Sequence, residues 1–329
     1  MSRTNKIIFD SRWIGEHGIG RFANEIYDRL PGLTKIILKS KPSNPFDVLQ
    51  ITWYLFRHKG LYFSPGYNAP LLFLNRCIIT IHDLNHIDTE HNTNILKKIY
   101  YEIVLKRACR RALKIFTVSE FSKGRICDWA KVDSSKVIVV GNGVSKEFSY
   151  NASRYSGKYF LVVGNRKKHK NEILALEAFF HANLPDDVNI LFTGNESEDL
   201  VKAVNRLGLT KKVKFLGKLD NNSLASLYKG AIALLFPSLY EGFGLPVIES
   251  MACGTPVITS NSTSLPEVSG DAALLVDPLD VNDISAAIKS IYYDVELRER
   301  LIQKGYKQVS NYSWERTVMI IDNELKKLL

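Results

Sequence analysis

Two glutamates eight residues apart, Glu241 and Glu249, lie where this 329-residue chain could best hold a polyhydroxyl ligand. The apolar run Leu234-Leu235-Phe236 precedes them, Gly242 and Gly244 follow Glu241, and Pro246 opens a second apolar stretch. Proline is favoured in the first turn of a helix, where its missing N–H breaks no hydrogen bond. Glycines just before such a helix let backbone N–H groups approach an anionic or polyhydroxyl ligand closely. Glu241 then falls on the loop and Glu249 on the helix, so the two carboxylates can reach opposite ends of one ligand. Ionised carboxylates only accept hydrogen bonds, which suits the vicinal hydroxyls of a sugar and a ribose. The plainer alternative is a strand–loop–helix turn with two surface glutamates.

A second glycine pattern lies near the start. Residues 18–23, Gly-Ile-Gly-Arg-Phe-Ala, satisfy the GxGxxA fingerprint of dinucleotide binding, which raises an NAD-dependent dehydrogenase as an alternative. Two features oppose it. Residues 10–17 separate the glycines from their strand, and Lys39-Ser40-Lys41 stands where a ribose-binding acid is expected, about 20 residues on.

The elements that must carry these loops alternate. Apolar strand-like runs at 6–9, 35–38, 77–81, 114–118 and 137–140 are separated by helical patterns, including 22–30 and 95–113. After the polar stretch 149–158, further strands are expected at 159–163, 188–192, 213–216, 233–236 and 256–258. Helices are expected at 172–180, 198–207, 223–228, 246–252 and 283–292. Strand–helix alternation of this kind predicts an α/β protein with parallel sheets covered by helices on both faces. The continuous rather than alternating apolar strands agree. A length of 329 residues suits two domains, 1–150 and 151–311, followed by 312–329. Ligands of open parallel sheets bind where the loops leave the carboxyl ends of the strands.

Composition is that of a soluble protein, with 45% hydrophobic and 24% charged residues and no apolar run of transmembrane length. Residues 1–6 lead into an apolar strand without a signal-peptide core. Cys77, Cys109, Cys127 and Cys253 are scattered with no CxxC, so a reducing, cytoplasmic setting is expected. Charge is unevenly placed: residues 1–150 carry 23 Lys and Arg against 13 Asp and Glu, whereas residues 151–329 carry 21 of each. A basic half beside a neutral one suggests different partners for each. Lys97, Lys98, Lys106, Arg107, Arg110, Arg111 and Lys114 cluster on or beside the 95–113 helix, either as a solvated face or as a patch for an anionic membrane surface. No nucleic-acid-binding module is present, so nucleic acid is not an expected partner.

The stretch 236–258 resembles the Glu-x7-Glu signature of the retaining glycosyltransferases of the large family 4 (GT4). The resemblance continues through Ser264-Leu265-Pro266-Glu267-Val268 and residues 270–278. Residues 163–171, from Gly164 through Arg166 to Lys170-Asn171, are similar to the family's basic loop, and residues 215–219, ending at Leu219, to its base-contacting loop. Residues 15–23 resemble its N-terminal glycine loop, Ile81-His82-Asp83-Leu84 its His-Asp segment, and Ser313-Trp314-Glu315 the start of its last helix. A turn aspartate beside a structurally satisfied histidine is the simpler reading at 82–83.

The resemblance implies a GT-B fold, two Rossmann-like doubly wound domains with the last helix crossing back to the first. It implies transfer of a sugar from a nucleoside diphosphate sugar with retention of configuration, through an oxocarbenium-like transition state. Arg166 and Lys170 would stabilise charge on the leaving diphosphate, with Lys168 competing for the arginine's place. Glu241 would orient the sugar and Glu249 the ribose, with Gly242, Phe243, Gly244 and Leu245 around the donor. Gly18 and Gly20 would face the phosphates, and His82 would lie near the transferred sugar. The family generally lacks an Asp-x-Asp metal site and none occurs here, so no obligatory metal or other cofactor is expected. Residues 9–13 and 18–22 look like those of bacterial mannosyl- and rhamnosyltransferases of surface-polysaccharide assembly. GDP-mannose is therefore the first donor expected, before dTDP-rhamnose and UDP-sugars, with a saccharide or lipid-linked saccharide as acceptor. Alternatives that keep the fold are a phosphorylase, an epimerase and a non-catalytic sugar-nucleotide sensor.

Overall fold

Apolar runs of three to five residues form the inner strands, too short to show a period but long enough to lie buried between helices. The computed structural model describes residues 6–15, 18–42, 44, 46–88 and 99–329. They fold as two units, Met1–Gly143 with Trp314–Leu329, and Val144–Ser313. The first unit thus ends before the polar stretch 149–158, which lies inside the second. Glu16, His17, Lys97 and Lys98 fall outside the described residues.

In the first unit, β1 (Ile7–Phe9), β2 (Leu33–Lys35), β3 (Leu61–Ser64), β4 (Cys77–Thr80), β5 (Lys114–Thr117) and β6 (Val137–Val139) form one parallel sheet ordered β2-β1-β3-β4-β5-β6. Phe63 on β3 meets Phe9 and Phe116 edge-on, at 5.4 and 5.5 Å between ring centres, so aromatic contacts run across the middle of the sheet. Its helices are α1 (Gly18–Arg29), α2 (Asp47–Arg57), α3 (Asn85–Asp88), α4 (Lys106–Arg111, entered through a π-turn at Tyr100–Leu105) and α5 (Glu120–Ala130). The strand expected at 35–38 lies earlier, at Leu33–Lys35. β1 offers pairing positions only from Ile7 to Phe9, so the chain leaves the edge at Ile36, whose N–H makes a last bond to the Phe9 carbonyl. Ile37 is left exposed.

In the second unit the strands are β7 (Lys158–Val162), β8 (Val188–Phe192), β9 (Val213–Phe215), β10 (Ala233–Phe236), β11 (Val257–Ser260) and β12 (Leu274–Val276). Their order is β12-β11-β10-β7-β8-β9, all parallel. Counted within the unit, this is the 3-2-1-4-5-6 arrangement, which reverses direction between β7 and β10 and opens a crevice there. The helices are α6 (Glu172–Ala182), α7 (Glu198–Arg206), α8 (Asn221–Gly230), α9 (Leu245–Ala252), α10 (Leu265–Ser269), α11 (Val281–Tyr293) and α12 (Val295–Val309). α11 packs on α6, and Phe160, Phe179, Ile190, Phe192, Ile284 and Ile288 fill the core beneath them.

The last helix, α13 (Trp314–Lys326), belongs to the first unit. Trp314 is 1% exposed and meets Phe22 of α1 edge-on at 6.3 Å, so the chain end is held by a large apolar contact.

Candidate active site

The loops leaving β7 and β10 flank the reversal point of the second sheet, and they carry Lys170 and Glu241. The Lys170 ammonium lies 2.6 Å from Glu241 Oε1, although 71 residues separate them in sequence. Both side chains are mostly buried, at 15% and 13% exposure, and Lys170 also lies over the Phe236 ring at 4.9 Å. Backbone geometry fixes this meeting. Asn171 adopts a left-handed conformation (φ 57°), and its amide donates to the carbonyls of Pro237 at 3.1 Å and Pro278 at 2.7 Å. The Leu239 N–H bonds to the His169 carbonyl at 2.7 Å, so the two loops are stitched side by side.

Buried hydroxyls shape the β10 loop from below. Ser264 Oγ donates toward the carbonyls of Glu241 and Phe243, at 2.9 and 3.0 Å, and Ser260 Oγ toward that of Ser238, at 2.6 Å. The loop ends at Gly244, which enters α9 at φ 104°; a Cβ there would meet Leu265 Cδ2 at 2.7 Å. Only glycine satisfies both demands. It caps α9 without a side-chain hydrogen bond, leaving the positive end of the helix dipole facing the loop. Glu249 lies on the same helix, 3% exposed, and accepts a bond from Tyr228 Oη at 3.1 Å. Gly242, Phe243 and Gly244 are buried and Leu245 is half-buried.

Arg166 stands apart from Lys170 on the same loop. Its guanidinium pairs with Glu172 and donates to the carbonyls of Asn195 (2.6 Å), Thr193 (2.7 Å) and Gly194 (3.1 Å). It thus ties the β7 loop to the β8 loop, and Gly194 in turn bridges to Gly217 after β9. Burial raises the Glu172 carboxyl above its usual range, while Arg166 acts to lower it. Gly164 faces Glu172 so closely that any side chain would collide with the carboxylate. Lys168 is exposed and Leu219, beyond the bridge, is half-buried.

In the first unit, Gly18 begins α1 itself, and the 3-10 turn Ser11–Trp13 lies between β1 and the glycines. A Cβ on Gly20 would meet the Gly15 carbonyl oxygen at 2.6 Å, so this glycine serves close packing of the loop on the helix. The His82 ring bonds through Nε2 to the Pro65 carbonyl at 2.9 Å and meets Phe22 edge-on at 4.8 Å. Asp83 accepts the Asn85 N–H at 3.0 Å.

Glu172 and Tyr228 were not singled out from sequence, and Asn171 and Ser264 only as members of motifs. All four act as partners, and their pairing depends on which strands become neighbours. Likewise Arg12 joins the buried carboxylates of Asp10, at 2.6 Å, and Asp47, at 2.5 Å. Burial opposes its charge, but the two carboxylates outweigh burial and hold the guanidinium above its usual range. Of the basic cluster, Lys106 pairs with Glu102 at 2.9 Å. Arg107, Arg110 and Lys114 donate to the carbonyls of Leu71, Ala130 and Ser135 at 2.6, 2.8 and 2.9 Å. Among the described residues, no helix is long and apolar enough to cross a membrane.

Residues 144–308 match the family model described as glycosyl transferases group 1, and residues 25–148 that of glycosyltransferase family 4. The chain belongs to the group 1 glycosyl transferases. Among its curated relatives is the O-antigen chain mannosyltransferase B of Escherichia coli, 30% identical over 84% of this chain and 77% of that protein. Another is the O-antigen chain mannosyltransferase RfbU of Salmonella typhimurium, 32% identical over 82% of this chain and 74% of that protein. Solved structures of similar fold include the sucrose-phosphate synthase of Thermosynechococcus elongatus, with a TM-score of 0.78 at 19% identity over 98% of this chain and 99% of that one. The Anabaena HepE complex with UDP-glucose has a TM-score of 0.77 at 16% identity, over 98% and 99%. The fold of this glycosyltransferase is GT-B.

Proposed function

We propose that this glycosyltransferase moves mannose from GDP-mannose, with retention of configuration, to a saccharide or lipid-linked saccharide in the assembly of a bacterial surface polysaccharide. The observation that carries the donor reading is the Lys170–Glu241 pair at the reversal point of the second sheet, beside the N-terminus of α9. A ligand placing diphosphate oxygens against Lys170 and sugar hydroxyls against Glu241 offers each group a new partner in place of the other. The mannose reading is supported by the names of the two relatives.

In the reaction proposed, the bond between the anomeric carbon and the diphosphate breaks as an acceptor hydroxyl bonds to the same face of the sugar. The departing phosphate oxygen takes the hydroxyl proton. Lys170 would stabilise the charge gathering on the diphosphate, aided by the helix N-terminus, while Arg166 would hold the loop that carries it. No metal is then required. Glu241 would hold the sugar hydroxyls and Glu249, oriented by Tyr228, the ribose. Gly242, Phe243, Gly244 and Leu245 would line the donor, and Gly164 and Leu219 belong to the neighbouring loops. His82 is proposed to act on the transferred sugar, and Gly18 and Gly20 to present α1 to the phosphates. The setting proposed is cytoplasmic, at the inner face of the plasma membrane, with an anionic lipid surface met by the basic first half.

Calorimetric titration with GDP, UDP and dTDP tests the donor. GDP should bind at least about tenfold more tightly than the other two, a difference of roughly 1.4 kcal/mol. Tighter binding of UDP or dTDP would replace GDP-mannose, and binding of none would remove the donor site.

A further inference from the structure

Hydroxyls of β11 and of the loop after it grip the β10 loop at successive points. Thr259 Oγ1 donates to the Phe236 carbonyl at 2.9 Å, and Ser260 Oγ to that of Ser238 at 2.6 Å. Ser264 Oγ donates toward the carbonyls of Glu241 and Phe243. Thr263 reverses the direction, for its Oγ1 accepts the Glu241 N–H at 3.4 Å. Two consecutive residues thus hold Glu241 by both of its backbone groups. Thr263 does so from the left-handed region, at φ 59°, and among the described residues it is the one β-branched residue at positive φ. A branched side chain crowds the backbone there, whereas glycine adopts that conformation freely. Such strain persists only where the surroundings over-determine it, and it gathers at functional sites. Glycine would relieve the strain but would carry no hydroxyl.

We propose that Thr263 is a positioning residue for the transferred sugar, holding Glu241 in place once its ion pair with Lys170 opens. The inference rests on the reading of Glu241 as the group that binds the sugar hydroxyls. Two sets of contacts fix this residue. Its carboxylate meets Lys170 at 2.6 Å, on the loop after β7, and its backbone meets Thr263 and Ser264, on the loop after β11. In the sheet β10 lies between β7 and β11, so the two grips come from opposite neighbours. When a diphosphate draws the ammonium away, the first grip is lost. The β11 loop then sets where the carboxylate stands against the sugar. A loosened carboxylate is felt in turnover, which depends on the geometry of the reacting sugar, rather than in nucleotide affinity. Ser264 also secures the entry to α9 through the Phe243 carbonyl, whereas the Thr263 hydroxyl bond goes to Glu241. Thr263 is therefore the part of the clamp that can be removed with the loop left standing.

Steady-state kinetics of the full chain test the proposal, with GDP-mannose or whichever nucleoside diphosphate sugar the wild type turns over. Calorimetry with the matching nucleoside diphosphate accompanies them. Thr263→Ala should lower kcat roughly fivefold to tenfold, the share of one hydrogen bond, and leave nucleoside diphosphate affinity within about twofold of wild type. Thr263→Ser, which keeps the hydroxyl, should restore most of the rate. Thr263→Gly should melt at or above the wild-type temperature, because the strain is gone, and still lose turnover as Thr263→Ala does. A residue that only braced the fold would lose stability and turnover together. Turnover by Thr263→Ala and Thr263→Gly within about twofold of wild type, beside an inactive Glu241→Ala, would overturn the clamp and leave the donor reading standing. A fall in melting temperature and nucleotide affinity that tracks the loss of turnover would overturn it too, leaving Thr263 a structural role. Wild-type turnover by Glu241→Ala would instead remove Glu241 from the sugar, and the proposal with it.

Discussion

Two cations of one loop, Arg166 and Lys170, each pair with a carboxylate, and the two pairs differ in what surrounds them. Arg166 and Glu172 are 14% and 6% exposed, and the guanidinium is further engaged by three backbone carbonyls of the β8 loop. Lys170 and Glu241 are equally well shielded, yet they join the two loops at the reversal of the sheet and lie beside a helix N-terminus. Bonds to carbonyls cannot be given up without leaving buried polar groups unpaired. A single ammonium–carboxylate contact can be exchanged for phosphate on one side and hydroxyl on the other. The first pair therefore holds the framework, and the second is the one proposed to meet the donor. Sharing a loop does not make neighbouring basic residues equivalent.

The largest effect expected is on Arg166. Removing one partner of a buried ion pair costs about 3–5 kcal/mol, so Arg166→Ala should lower the denaturant midpoint of the second unit along with activity. An unchanged midpoint with lost turnover would place Arg166 in the chemistry and erase the contrast. Glu249→Ala comes next: nucleoside diphosphate binding, measured by calorimetry, should weaken by roughly 1.5–3 kcal/mol, the value of a hydrogen bond to a charged group. Full retention of nucleotide affinity would remove Glu249 from the donor site. Tyr228→Phe should have the smallest effect, about 1 kcal/mol on the same affinity, because it deletes one hydrogen bond that orients Glu249. A larger loss than that of Glu249→Ala would show that Tyr228 itself touches the nucleotide.

The loops proposed to hold the donor were legible because their constraints are local. Gly244 at φ 104°, Pro246 at the start of α9 and the apolar β10 announce a strand–loop–helix turn with Glu241 and Glu249 in fixed places. The same holds for Ser119, which caps α5 by accepting the Ser122 N–H. Partners across the sheet were not legible. Lys170 and Glu241 meet over 71 residues, and Arg12 and Asp47 over 35, through strand order rather than spacing. α2 was not among the helices read from the sequence. β3, four residues buried on both sides, carries no alternation to read. The GxGxxA match was already opposed by its sequence context, and in the structure its glycines open α1 after a 3-10 turn, with Gly20 admitting the close packing of Gly15.

The central claim is that the Lys170–Glu241 pair, and not the Arg166–Glu172 pair, meets the diphosphate of the donor. The most direct measurement is the turnover of GDP-mannose at saturating donor by Lys170→Ala, beside the wild type and Lys168→Ala. Loss of a group that stabilises leaving-group charge should slow Lys170→Ala on the order of 100-fold or more, with Lys168→Ala close to wild type. A Lys170→Ala rate within about threefold of wild type, under 1 kcal/mol in barrier, would contradict the claim.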